Sequence, residues 1–158
     1  MVVPVGPKGV PADYVPFYFA PRSPMLYVLH KGGVPEYQEG QHPLVYLITD
    51  IEMIMSIGLG YVFSDGNCAS AFTEYFDSLD SLDMIDWQIM SATMWNNTPT
   101  DGDRMRRRAA EFLVHKELPW SAFRGVATID EDMARQVSAV LVRAGSHLPV
   151  RVRRNWYY

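Results

Sequence analysis

The run Arg106-Arg107-Arg108-Ala109-Ala110-Glu111-Phe112-Leu113-Val114 sets one carboxylate between an arginine cluster and an apolar stretch. A lone acid there suits proton transfer or the electrostatic support of a developing charge. The plainer alternative, an exposed glutamate paired with a neighbouring arginine, stays open on spacing alone. The planar donor fork of arginine stays charged and bonds phosphate oxygens in pairs, which makes Arg104, Arg106, Arg107 and Arg108 candidate phosphate contacts. A second stretch, from Asp13 to Tyr27, is dense in aromatics and prolines. Phe17 and Phe19 read as core, but Arg22, flanked by Pro21 and Pro24, is a poor core residue. The turn-forming segment Ser64-Asp65-Gly66-Asn67 follows another aromatic run, and the chain closes on Trp156-Tyr157-Tyr158.

Other chemistries find little support. The four histidines, His30, His42, His115 and His147, lack metal-ligand spacing, and one cysteine, Cys68, cannot complete a zinc site, so no metal is expected. Without a glycine-rich phosphate loop or a serine nucleophile motif, kinases, dinucleotide-binding dehydrogenases and the common hydrolases are disfavoured. The single cysteine also precludes an internal disulfide and fits a reducing compartment. The longest apolar runs, such as Leu44 to Ile48, fall far short of the ~20 residues of a membrane helix, and a cytoplasmic location without membrane attachment is expected. The net charge of −4 hides an asymmetry. Residues 1–99 carry three basic against eleven acidic side chains, a net −8, whereas residues 100–158 carry eleven against seven, a net +4. The half that holds Glu111 is thus the half fitted to an anionic partner, although a solvated arginine face gives the same count.

The length of 158 residues predicts one domain able to bury a real core. Tyr14 to Phe19 reads as a strand, and Pro16 assigns it to an edge or a strand start. Ser23-Pro24 opens a helix over about Met25 to Leu29, ended by Gly32-Gly33. Leu44 to Ile48 is a strand, Asp50 caps a short helix to about Ile57, and Tyr61 to Phe63 is a further strand. Phe72 to Phe76 fits strand or helix. Spacings of three and four between Leu79, Leu82, Ile85 and Ile89 predict a helix across Ser78 to Ser91, with Asp77, Asp80, Asp83 and Asp86 on its wet side and at its caps. Asn96 to Asp103 is a polar loop. Around Glu111, propensity favours helix and alternation allows a strand, with Glu111 and Leu113 on one face and Phe112 and Val114 on the other. Gly125 to Ile129 is a strand, Asp130 an N-cap, the stripe Met133, Val137, Val140, Leu141 and Ala144 a helix ended by Gly145, and Val150 to Val152 a last strand. This order predicts an α+β fold with a largely antiparallel sheet.

The arginine-glutamate run, the stretch Asp13 to Tyr27 and the Trp-Tyr-Tyr ending together resemble the DarT family of DNA ADP-ribosyltransferases. The resemblance spans about Val5 to Tyr158 and implies an ADP-ribosyltransferase-like mixed sheet, with the Glu111 segment as a strand. It implies that Glu111 binds the ribose next to nicotinamide, supports the positive charge formed as the glycosidic bond breaks, and takes the proton of the acceptor base. Tyr18 and Met25 are then expected around NAD, the co-substrate. Arg107, on the same strand face as Glu111, is expected at its pyrophosphate. Arg22, Asn67, Arg104, Arg106 and Arg108 are expected to contact DNA. The implied activity is a toxin that moves ADP-ribose from NAD to a base of single-stranded DNA, thymine in most relatives, countered by a macrodomain antitoxin, DarG. Family members usually begin with a further segment carrying a Tyr-His-Ile-Thr type motif and a catalytic arginine, and the match here starts after it. A silent, shortened relative that binds nucleic acid or the antitoxin is the alternative, and transfer to protein or RNA a third.

Overall fold

Residues 2–158 are described by a computed structural model. The chain divides into two compact units, Met1–Pro24 with Gly58–Leu118, and Met25–Ile57 with Pro119–Tyr158.

The first unit is an antiparallel sheet of β1 (Tyr14–Tyr18), β3 (Tyr61–Ser64), β4 (Tyr75–Phe76) and β5 (Glu111–His115), in the order β1-β5-β3-β4. Pro16 lies on edge strand β1, where its missing N–H costs no ladder bond. β5 is central and runs apolar after its first residue. Phe112, Leu113 and Val114 are buried, and each buried side chain of that size contributes about 1.5–3 kcal/mol. Alternation sorts its two faces as the sequence suggests. Leu113 packs with Val3, Tyr14 and Val62, whereas Phe112 stacks on Tyr61 and Phe63 and meets Phe19 edge-on.

Two elements depart from expectation. The helix expected across Ser78 to Ser91 is broken into a 3-10 turn, Leu79–Met84, and a short α3, Trp87–Ser91, because Ile85 is extended and the Asp86 carboxylate accepts the Ile89 N–H at 3.0 Å. Asp77, expected on the wet face of that helix, accepts the Gly6 N–H instead, at 3.0 Å. The arginine cluster forms a helical turn, α4 (Arg104–Arg108), and the strand starts only after the buried pair Ala109-Ala110. Arg107 therefore does not share a strand face with Glu111. Helix propensity governs the arginines and the apolar run governs the strand, so each reading of this segment holds for half of it.

The second unit holds α1 (Pro24–His30, from Met25 onward), α2 (Ile51–Ser56), α5 (Glu131–Arg143) and a mixed sheet of β2 (Tyr46–Ile48), β6 (Gly125–Thr128) and β7 (Val150–Val152), ordered β2-β6-β7 with β6 and β7 parallel. Its core gathers Leu26, Ile129 and Tyr157, and the Tyr157 hydroxyl donates to the carbonyls of Leu44 and Ala127. Two of its helix caps are those read from sequence. Asp50 accepts the Met53 N–H at 2.6 Å and Asp130 the Met133 N–H at 2.9 Å, while Gly145, at φ 68°, ends α5 in the left-handed region. Asp130→Ala removes the cap and the 2.8 Å contact with His42, and is expected to lower the melting temperature by about 2–4 °C. Asp130→Asn, which keeps a capping oxygen, is expected to recover most of the loss; equal losses in thermal melts of the two variants would refute the capping role.

Candidate active site

Glu111 opens the central strand, with Tyr18 of β1 and Ser64 of β3 as its cross-strand partners. The neighbours cover it: Glu111 is only 5% exposed. Its Oε2 accepts the main-chain N–H of Cys68 at 2.6 Å. A carboxylate buried this far requires such a donor, since burial without one costs several kcal/mol, on the order of the desolvation of an ion.

The donor is supplied by a loop, residues 65–74, whose turn chemistry is local. The Ser64 hydroxyl donates to the Gly66 carbonyl at 2.8 Å, the Asn67 side-chain oxygen accepts the Ala69 N–H at 2.8 Å, and the Asn67 carbonyl accepts from Ser70 N–H and the Thr73 hydroxyl. Asp65 and Glu74 close its neck through the Glu74 N–H, 2.9 Å from the Asp65 carboxylate, and the Asp65 N–H. At Gly66 a Cβ would sit 2.9 Å from the Arg106 guanidinium and 3.0 Å from the Thr73 hydroxyl, so a side chain there would have to displace both. The Tyr75 hydroxyl donates to the Cys68 carbonyl.

Around the carboxylate the ionisable groups are held neutral. The Cys68 thiol is pushed up to about 12, first by burial and then by its hydrogen bond to Glu111 and the charge there. Burial, then Glu111 and Cys68, pushes the Tyr18 phenol to about 12. Tyr75 reaches about 12 by burial and then the same two neighbours. All three are therefore proton donors at neutral pH. Cys68 is accordingly expected to react with an alkylating agent at pH 8 about a thousandfold more slowly than an exposed thiol, because the thiolate is the nucleophile. Its rate should keep climbing past pH 9, where ordinary thiols level off, and Glu111→Gln should raise it. A rate within about tenfold of free cysteine, read by mass spectrometry, would contradict this environment.

The arginines expected at phosphates are committed to the protein itself. Arg106 holds Asp103 through two bonds of 2.8 and 2.9 Å and Asp65 at 2.8 Å. Arg107 pairs with Asp86 at 2.9 Å, with Asp101 at 2.6 Å and with Asp103 at 3.6 Å, rather than facing Glu111. These partners hold the Asp101 and Asp103 carboxyls below their ordinary range, through the Arg107 and Arg106 hydrogen bonds respectively. Arg108 is turned into the interior, 4% exposed, and donates to the carbonyls of Ile89, Met90 and Pro21. Buried in this way, Arg108 is a strut of the fold rather than a surface contact. Arg104 reaches the carbonyls of Asn96 and Met94, at 3.0 and 2.8 Å. Arg22 is half-buried, with a backbone at φ 56°. A non-glycine residue held there is a form of strain that concentrates at functional positions. Asn67 is half-buried in the loop beside Cys68, and Met25 is 54% exposed on α1 of the second unit.

Sequence reading missed Cys68, Tyr75 and the aspartates that hold the arginines. The pairing of Asp103 with Arg106 and Arg107 was signalled by the spacing of three and four residues on one helical turn. The contact of Cys68 with Glu111 spans 43 positions and left no local signal. A cavity of about 510 Å³ lined by Lys8, Asp13, His115 and Lys116 lies at the other end of β5 and includes none of these groups. Among the described residues no cluster of histidine, cysteine or acidic side chains could hold a metal ion, and no helix is long and apolar enough to cross a membrane.

The fold that sets this buried glutamate at the head of a central antiparallel strand matches that of solved DarT structures. The match to Thermus sp. 2.9 DarT in complex with NAD+ has a TM-score of 0.93 at 35% identity, over 99% of this chain and 78% of that one. The same protein in complex with ADP-ribosylated single-stranded DNA matches at a TM-score of 0.92, over 99% and 74%. The chain belongs to the DarT family, whose model, described as ssDNA thymidine ADP-ribosyltransferase, matches residues 1–158. It is similar to a DNA ADP-ribosyl transferase of Thermus aquaticus, 39% identical over the whole of this chain and 69% of the relative. It is also similar to one of Escherichia coli O127:H6, 33% identical over 99% and 72%.

Proposed function

We propose that this chain transfers ADP-ribose from NAD to thymidine in single-stranded DNA, with Glu111 as the catalytic carboxylate. The observation that carries the reading is the buried Glu111 at the head of β5 in a chain of this family. The bond between nicotinamide and ribose breaks, its electron pair leaves with nicotinamide, and the sugar carbon becomes cationic. A fixed anion beside that carbon lowers the barrier because the charge it meets exists only in the transition state. The acceptor nitrogen then bonds to the sugar carbon, and its proton passes to Glu111. In this reading Oε1, the oxygen that the Cys68 N–H does not hold, faces the substrate.

Tyr18, beside Glu111 across the ladder, and exposed Met25 are the NAD contacts in this reading. Arg22, Asn67 and Arg104 are the DNA contacts, with Arg106, Arg107 and Arg108 reassigned to the scaffold. The whole chain acts as one transferase domain in the cytoplasm, a toxin whose partner is a macrodomain antitoxin. Incubation with NAD and a thymidine-containing single-stranded oligonucleotide, followed by intact-mass measurement, tests it. A gain of one ADP-ribosyl group on DNA is expected. No gain, together with salt-sensitive retention of the oligonucleotide, would replace catalysis by binding.

A further inference from the structure

We propose that Tyr75 is a positioning residue for the transfer, acting through Cys68 to fix the Glu111 carboxylate. The proposal rests on Glu111 being the catalytic acid and adds how it is aimed. The Cys68 residue is clamped at both ends: its N–H meets Glu111 Oε2 at 2.6 Å, and its carbonyl accepts the Tyr75 hydroxyl. Among the described hydrogen bonds no other reaches the Cys68 N–H or its carbonyl oxygen; the Cys68 thiol adds a contact to Glu111, and the Ala69 N–H, in the plane of the Cys68 carbonyl, is held within the loop by Asn67.

The tyrosine is suited to the task by where its ring sits. It packs against the core cluster of Val3, Tyr14, Val62 and Leu113, on the face of β5 that also carries Glu111, so the hydroxyl is delivered from the rigid sheet into a loop that has no regular structure of its own. Its neutrality at working pH makes it a donor. Without the hydroxyl, Cys68 loses its tie to the sheet on the carbonyl side, and its N–H, which belongs to the preceding peptide plane, shifts as the Cα that joins the two planes moves. Glu111 then loses the bond that selects its rotamer. The carboxylate remains, but Oε1 no longer points where the sugar cation forms. Such a change removes an interaction made in the transition state and leaves the binding of either substrate as it was.

Tyr75→Phe, which deletes one oxygen and keeps the packed ring, tests this in two ways. Transfer kinetics are expected to show kcat lowered about tenfold or more, with KM for NAD and for the oligonucleotide within about twofold of the parent. Amide hydrogen exchange at Cys68 is expected to quicken about tenfold or more in Tyr75→Phe, and likewise in Glu111→Ala, since each removes one end of the clamp. Unchanged kcat, a rise in KM that accounts for the whole loss, or unaltered Cys68 protection would each overturn the proposal. Transfer that survives Glu111→Ala would instead sink the functional reading, and the exchange of the Cys68 amide would still decide whether the clamp exists.

Discussion

Glu111→Ala is expected to lower the rate of ADP-ribose transfer to single-stranded DNA by about 10³-fold or more, while the protein stays folded. Removing a single preorganised electrostatic partner of a transition state costs about 10²–10³, and general-base assistance adds a further factor of about 10²–10⁴. Both roles fall on this side chain. The discriminating variant is Glu111→Gln, which matches the glutamate in size and still accepts the Cys68 N–H but carries no charge. If charge is what catalyses, Gln is as inactive as Ala. If Glu111 only props the loop, Gln keeps most of the activity, and that result would falsify the catalytic assignment. The sheet tolerates the exchange, because a neutral amide at this site removes a buried ion rather than creating one. Thermal melts of both variants within a few degrees of the parent separate loss of chemistry from loss of fold.

The second large effect is on stability. Arg108→Ala is expected to destabilise the fold by about 3–5 kcal/mol, since it removes a buried guanidinium from three main-chain acceptors and leaves the Ile89 carbonyl only the Ala92 N–H. Arg108→Lys recovers little. One ammonium cannot reproduce a planar fork that serves carbonyls from Pro21, Ile89 and Met90 at once. Urea unfolding midpoints give the measurement, and a loss below about 1 kcal/mol would mean that this guanidinium is not the strut described. DNA retention by whatever fraction of Arg108→Ala remains folded is expected to match the parent. A selective loss of DNA affinity in folded protein would return Arg108 to the role of a phosphate contact.

Much of the architecture was legible because it is written locally. Asp50 and Asp130 cap the helices they precede, Pro16 marks an edge strand, Gly145 ends α5, and alternation from Glu111 to Val114 sorts the faces of β5. Local pattern failed where a distant partner decided the outcome. The periodicity through Leu79, Leu82, Ile85 and Ile89 is helical, yet Asp86 serves as the cap of a new helix and a partner of Arg107. The arginines looked like a surface for phosphate because charge is visible in a sequence and its neutralisation in space is not. Asp65 lies 41 positions from Arg106 and Asp86 lies 21 from Arg107. In the sequence Cys68 stands out only as a lone thiol, whereas its 2.6 Å bond to Glu111 comes from a main-chain N–H that any residue but proline supplies.

Ala109 and Ala110 join α4 to β5, and both are buried. Since a strand reverses its facing with every residue, a deletion in this link that draws β5 back by one would bring the Phe112 ring to the spot the carboxylate now holds, and an insertion that pushes it on by one would send the acid into the aromatic stack behind it. The length of this link, as much as its composition, therefore decides which way Glu111 faces: the acid is addressed by counting.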